Sequence, residues 1–205
     1  MSRYPVIVFE GIEASGKSSC INKISKYLNK INRSFVKIRE PGGTIYSEIF
    51  RKLMLNKKSK YNIKTDLMLI MASRSENVEK VLKKYYGKKI ILIDRFTDST
   101  IAYQHYGMGI NFNLIKKLNQ YILNNFKPTF TFLNIVNKNN MKKRLNMRVK
   151  LNRYDKFDFT FYKKVQNGFL KMANNKKNYL IIDSNKNDIN ENYKIILQKV
   201  KKIIH

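Results

Sequence analysis

Residues 11–18 read Gly-Ile-Glu-Ala-Ser-Gly-Lys-Ser, spaced G-x-x-x-x-G-K-S, and this octapeptide decides the fold. An apolar run, Val6-Ile7-Val8-Phe9, precedes it, and a helix-like stretch through Leu28 follows. Strand, glycine turn and helix in that order make a phosphate-binding loop. The glycines let the backbone turn tightly, the loop N–H groups surround phosphate oxygens, and the next helix points its positive dipole end at them. Gly11, Ile12, Glu13, Ala14, Ser15, Gly16, Lys17, Ser18 and Ser19 are therefore assigned to a nucleotide phosphate donor. Lys17 reaches its β/γ-phosphates, and the Ser18 hydroxyl ligates Mg²⁺.

Working outward, apolar runs alternate with helical patterns. Strands are expected at 5–10, 35–39, 90–94, 129–135 and 179–183. Helices are expected at 17–29, 45–55, 65–86, 112–126, 139–148, 157–174 and 189–204, several with apolar residues three and four apart. The alternation predicts an α/β chain of phosphate-loop NTPase type: three layers, with a central five-stranded parallel sheet flanked by helices. No linker, repeat or break in composition divides the chain, which predicts one domain over residues 1–205. The polar, weakly periodic segment 149–156 reads as a mobile loop.

Ligands in such sheets bind at the carboxyl ends of the strands. Asp94 ends the run Ile90-Ile91-Leu92-Ile93, where a carboxylate would hold Mg²⁺ directly or through water. Arg95 follows with a planar fork suited to phosphate. Arg39 ends the second strand and opens Arg39-Glu40-Pro41-Gly42-Gly43-Thr44. The three strand ends are expected to converge on one crevice.

The composition bounds the partners. The chain has 205 residues, 43% of them hydrophobic, ordinary for a globular protein, and no run of about eighteen apolar residues that would cross a membrane. Cys20 stands alone, so no intrachain disulfide forms, and a reduced, cytoplasmic setting fits. The net charge of +28 would suit a nucleic-acid partner, but lysine pairs such as Lys57-Lys58 and Lys83-Lys84 are scattered rather than aligned. Lysine, asparagine and isoleucine are abundant along the whole chain, which favours compositional drift over a specific nucleic-acid site.

Arg39–Thr44, Asp94-Arg95-Phe96, Ser99-Thr100-Ile101-Ala102-Tyr103-Gln104, Met71-Ala72-Ser73-Arg74 and Arg153-Tyr154-Asp155 occur in the order and spacing of the bacterial thymidylate kinases, which this chain resembles from Pro5 to about Ile182. The resemblance implies transfer of the ATP γ-phosphate to the 5′-phosphate of dTMP, giving dTDP, with Mg²⁺ and in a homodimer. It implies that Arg39 and Arg95 hold the acceptor phosphate and that Arg74 meets the thymine edge. Thr100 and Gln104 would lie near the base and Tyr103 against the deoxyribose. Glu13 would face the acceptor's sugar and phosphate. The family carries a catalytic arginine either in the phosphate loop or in a lid. Here the loop has none, which points to a lid over roughly 144–156, with Arg153 as the catalytic candidate beside Lys17, Arg95 and Glu13. Arg148 is expected on the ATP side. Arg144 is as readily a solvated basic residue, and Asp155 would orient Arg153 or join the Mg²⁺ site. Two departures stand out: Ile70 occupies the position of the usual thymine-stacking phenylalanine, and His105 follows Gln104 where glycine is common. Ile70 keeps open a kinase for another pyrimidine nucleotide or a deoxynucleoside. The charge keeps open a non-catalytic nucleotide- or nucleic-acid-binding protein.

Overall fold

The computed structural model describes residues 4–149 and 151–204. Lys150, within the expected lid, and the ends of the expected 1–205 domain, residues 1–3 and 205, lie outside the described residues. Along the chain run β1 (Val6–Glu10), α1 (Lys17–Lys30), β2 (Phe35–Arg39), α2 (Ile45–Leu55), α3 (Ile63–Asn77), α4 (Lys83–Tyr85), β3 (Ile90–Asp94), α5 (Thr97–Thr100), α6 (Phe112–Leu123), β4 (Phe130–Ile135), α7 (Lys138–Asn146), α8 (Phe159–Ala173), β5 (Tyr179–Asp183) and α9 (Ile189–Ile204). A π-helical turn, Val78–Leu82, joins α3 to α4, and another, Ile101–Gly107, continues α5.

All five strands are parallel, in the order β2-β3-β1-β4-β5. The central strands are apolar runs because helices cover both of their faces. Period-two alternation sorts them: Ile7, Phe9, Ile90, Leu92 and Phe132 pack against α1 and α9. Val6, Val8, Ile91 and Ile93 pack against Val78, Val81, Leu82 and Phe96. A fully buried side chain of this kind stabilises the fold by about 1.5–3 kcal/mol. The register aligns the carboxyl ends, with Asp94 level with Phe9 on one side and Arg39 on the other. The phosphate loop, Arg39 and Asp94 thus emerge along one edge, as the strand pattern requires.

The expected helices at 45–55 and 189–204 match α2 and α9. The expected helix 65–86 begins two residues earlier, because the Asn62 side chain accepts from Thr65 N at 2.9 Å, and it is interrupted by the first π turn. The expected helix 112–126 stops at Leu123, because Asn124 turns left-handed at φ 41°. Asp158 accepts from Phe161 N at 2.8 Å, so α8 starts after it rather than at Phe157. Helical structure over 97–107 was not expected. The segment read as a mobile loop, 149–156, is not without structure. It contains a 3₁₀ turn, Tyr154–Lys156, and Tyr154 is buried in the same apolar cluster as Tyr103, Tyr162 and Phe169.

Candidate active site

The loop after β1 has the conformations its glycines permit. Gly11 sits at φ +137°, and a Cβ there would lie 2.2 Å from the Asn134 carbonyl oxygen. Gly16, left-handed at φ 93°, caps α1. Lys17 is buried and curls into the loop, its Nζ donating to the carbonyls of Gly11 (2.9 Å) and Ile12 (2.7 Å). Burial first, and then the neighbouring Arg95, lower its pKa to about 7. At the mouth of the loop Ser18 Oγ donates to Asp94 Oδ2 at 2.9 Å. These are hard oxygen ligands, and Mg²⁺ ordinarily takes only one or two carboxylates and completes its shell with phosphate and water. The pair fits that pattern, although no cluster of three or more acidic, histidine or cysteine side chains exists among the described residues.

Arg95 follows β3 with a left-handed backbone, φ 67°. Its Nη2 donates to Glu13 Oε1 at 2.8 Å and its Nη1 to the Gly11 carbonyl at 2.8 Å. Tyr103 OH donates to the other Glu13 oxygen. Burial works against the charge on Glu13, but Arg95 and Lys17 outweigh it and hold the carboxyl below the usual carboxylate range.

Two cavities meet here. One, of about 420 Å³, is lined by Glu13–Ser19, Arg39, Asp94, Arg144 and Arg148. The other, of about 90 Å³, is lined by Met54, Leu55, Ile70, Arg74, Phe96, Thr100, Tyr103, Gln104 and Tyr154, an apolar lining with a few convergent polar groups of the kind that suits a small molecule. Glu13, Glu40, Arg51, Arg95 and Asn152 line both and form the shared wall. The structure therefore brings Ile70, Arg74, Arg95, Thr100, Tyr103 and Gln104 together, as the sequence leads one to expect. Thr100, at the end of α5, and Tyr103 and Gln104, three and four residues on in the π turn that follows, line one space. Phe96 lines this cavity as well, and the Arg74 guanidinium lies 5.3 Å from its ring centroid.

Several expectations need correction or sharpening. Arg39 is absent from the second cavity; it is half-exposed and paired with Glu48 at 2.8 Å, because β2 alternation turns it toward α2. Arg74 lines the cavity but is committed to protein: Nε donates to Glu40 (2.7 Å), Nη1 to Asn119 (2.6 Å) and Nη2 to Thr100 (3.0 Å). Gln104 Oε1, by contrast, is buried without a hydrogen-bond partner. Arg153 lines neither cavity and pairs with Asp66 on α3, whereas Arg148 lines the phosphate side. Arg144 is no solvated residue: it bridges the Ala14 carbonyl (3.0 Å) and the Ser184 carbonyl (2.9 Å), bracing the phosphate loop against the turn after β5. Asp155 orients Arg148, at 2.7 Å, rather than Arg153. His105 is structural, its Nδ1 lying 2.8 Å from the Ile110 carbonyl.

Sequence reasoning missed Arg51. It projects from α2 into the shared wall, its Nη1 donating to the Pro41 carbonyl at 2.8 Å. Burial, then the charges of Arg39 and Arg95, lower its pKa to about 10. The signal was available: Ser47, Arg51 and Met54 fall on one face of an amphipathic helix, and Ser47 and Met54 are buried.

Comparison with known proteins agrees with this geometry. The family model described as thymidylate kinase matches residues 9–196. A thymidylate kinase of Sulfurihydrogenibium sp. is 37% identical over 197 residues, covering 95% of this chain and 96% of that protein. One of Mycoplasma capricolum is 37% identical over 204 residues, covering 95% of each. The crystal structure of thymidylate kinase from Ehrlichia chaffeensis superposes with a TM-score of 0.79 at 33% identity, covering 96% of this chain and 98% of that one. Two adjoining cavities, a phosphate loop and near-full-length similarity lead to one assignment: the chain belongs to the thymidylate kinase family.

Proposed function

We propose that this enzyme transfers the γ-phosphate of ATP to the 5′-phosphate of dTMP, yielding dTDP for dTTP synthesis. The observation that carries the reading is the shared wall: the phosphate-loop cavity and the apolar cavity meet at Arg51, Arg95 and Glu13. In-line transfer between two polyanions needs that arrangement, because catalysis consists mainly of positioning and charge neutralisation.

ATP lies in the first cavity, its phosphates held by the loop N–H groups and Lys17, which regains its proton beside them. Ser18 and Asp94 are the residues that would hold Mg²⁺, which would supply positive charge to offset that of the phosphates. dTMP lies in the second cavity with its phosphate between Arg51 and Arg95. Tyr103 and Glu13, joined by their hydrogen bond, back the deoxyribose. Gln104 offers its unpartnered Oε1 to the base N3–H, and Ile70 with Phe96 covers the ring. Arg148 supplies the cation that stabilises the transferring phosphoryl group; its support is its place on the wall of the first cavity. The segment around residues 144–156 serves as the lid of a single domain. The setting is the cytoplasm. No helix among the described residues is long and apolar enough to cross a membrane. A homodimer through α2, α3 and α6 would cover the exposed Ile49, Met68, Phe112 and Tyr121.

The test is ADP release by the purified protein with ATP and Mg²⁺, across dTMP, dUMP, UMP, dCMP and thymidine. Turnover highest with dTMP is expected, and absence of turnover with dTMP would end this reading.

A further inference from the structure

The turn that follows Leu151 holds two ion pairs that serve different partners. Inside it, the Asp155 side chain is completely buried although Arg148, its partner, is partly exposed. Asp155 Oδ1 accepts from Arg148 Nη1 at 2.7 Å, while Oδ2 accepts from Asn152 N at 2.9 Å and Asn152 Nδ2 at 2.6 Å. The carboxylate is thus oriented by its own turn, and an oriented carboxylate fixes the direction of the guanidinium it binds.

The turn itself is fastened to the other side of the site. Arg153 pairs with Asp66, a buried residue in the first turn of α3, and Tyr154 OH donates to the same Asp66 oxygen at 3.3 Å. Arg153 N donates to the Leu55 carbonyl at the end of α2 at 3.2 Å. Tyr154 packs edge-on to Tyr103 with ring centroids 6.0 Å apart. Asp66 and Ile70 stand four residues apart on α3, and Ile70 lines the apolar cavity.

We infer that Asp66 and Asp155 are positioning residues for Arg148. Asp66, through Arg153, rivets the turn to the acceptor-side helix, and Asp155 within the turn aims Arg148 at the phosphates. The place of the phosphate-facing cation then depends on a carboxylate of α3 that touches neither substrate. The inference rests on the reading of Arg148 as the cation of the transfer step.

A kinetic cycle on the complete enzyme with ATP, Mg²⁺ and dTMP separates the two. Arg148→Ala should lower kcat by about 100-fold or more, the size of effect seen when one transition-state donor is removed. Asp66→Asn and Asp155→Asn should each lower kcat about tenfold with KM for ATP within about twofold, and Asp66→Glu should recover most of the loss. In the Arg148→Ala background, Asp66→Asn should have almost no further effect, because its influence runs through Arg148. An equal loss from Asp66→Asn in both backgrounds, or no loss in either, would overturn the inference while leaving the role of Arg148 standing. An unchanged kcat for Arg148→Ala would remove that role and the inference with it. If Asp66→Asn does not fold, the Asp155→Asn cycle decides by the same outcomes.

Discussion

Arg51 shows how one side chain can belong to two sites. It is anchored by the Pro41 carbonyl and held near Arg39 and Arg95, whose charges it would repel without phosphate between them. Its removal should weaken the acceptor site. A lost charge-assisted hydrogen bond is worth about 1.5–3 kcal/mol, so Arg51→Ala should raise KM for dTMP at least about tenfold. KM for ATP should change by less than about threefold, and steady-state kinetics with each substrate varied in turn checks the split. At this scale the sequence was legible wherever a residue sits in a short contiguous motif: Lys17, Asp94, Arg95, Thr100, Tyr103 and Gln104 all reach the cleft. It was illegible where partners come from distant elements. Nothing local to Arg74 shows that Glu40 and Asn119 occupy its donors, and nothing local to Arg153 shows that Asp66 is its partner.

Short elements around the site are secured by buried polar groups. Glu10, at the end of β1, accepts from Phe96 N (2.8 Å), Ser99 N (3.1 Å) and Ser99 Oγ (2.5 Å), tying α5 to the sheet. Burial, then the charge of Asp98, raises its pKa from 4.5 to about 7. The folded chain therefore binds this proton more tightly than the unfolded one. The stability it contributes is full below about pH 4.5 and is lost as pH rises through about 7, an effect of order 3 kcal/mol. Glu10→Gln should flatten that part of the profile, and urea unfolding of both proteins at pH 5 and pH 7.5 measures the difference. A slope unchanged by the substitution would show that Glu10 does not titrate in this range. The elements themselves were readable where periodicity is long, as in α2 and α9. The helix over 97–107 was not, because its first turn is four residues and its continuation is π-helical, matching no 3.6-residue pattern. The turn at 154–156 was not legible because its anchors, Asp66 and Leu55, lie in elements far earlier in the chain.

The whole molecule combines an excess of 42 Lys and Arg over 14 Asp and Glu with exposed apolar side chains on the outer faces of α2, α3 and α6. On so cationic a chain a further positive charge in an interface is doubly unfavourable, through desolvation and repulsion. Met68→Arg, at an exposed position of α3, should therefore shift the proposed dimer to monomer in sedimentation velocity at moderate salt. An unchanged sedimentation coefficient would place any dimer contact elsewhere. The sheet order was implicit in the strand–helix alternation, but which helices remain uncovered emerges only once the core has been assembled.

The wall common to both cavities bears on the direction of the chemistry. Because Arg51 and Arg95 face donor and acceptor alike, the migrating phosphoryl group leaves one nucleotide for the other without leaving their field. The anionic charge these two cations confront is the same before and after transfer. The forward and reverse reactions therefore draw on one and the same apparatus at this wall. A substitution at Arg51 or Arg95 is accordingly expected to slow both directions together.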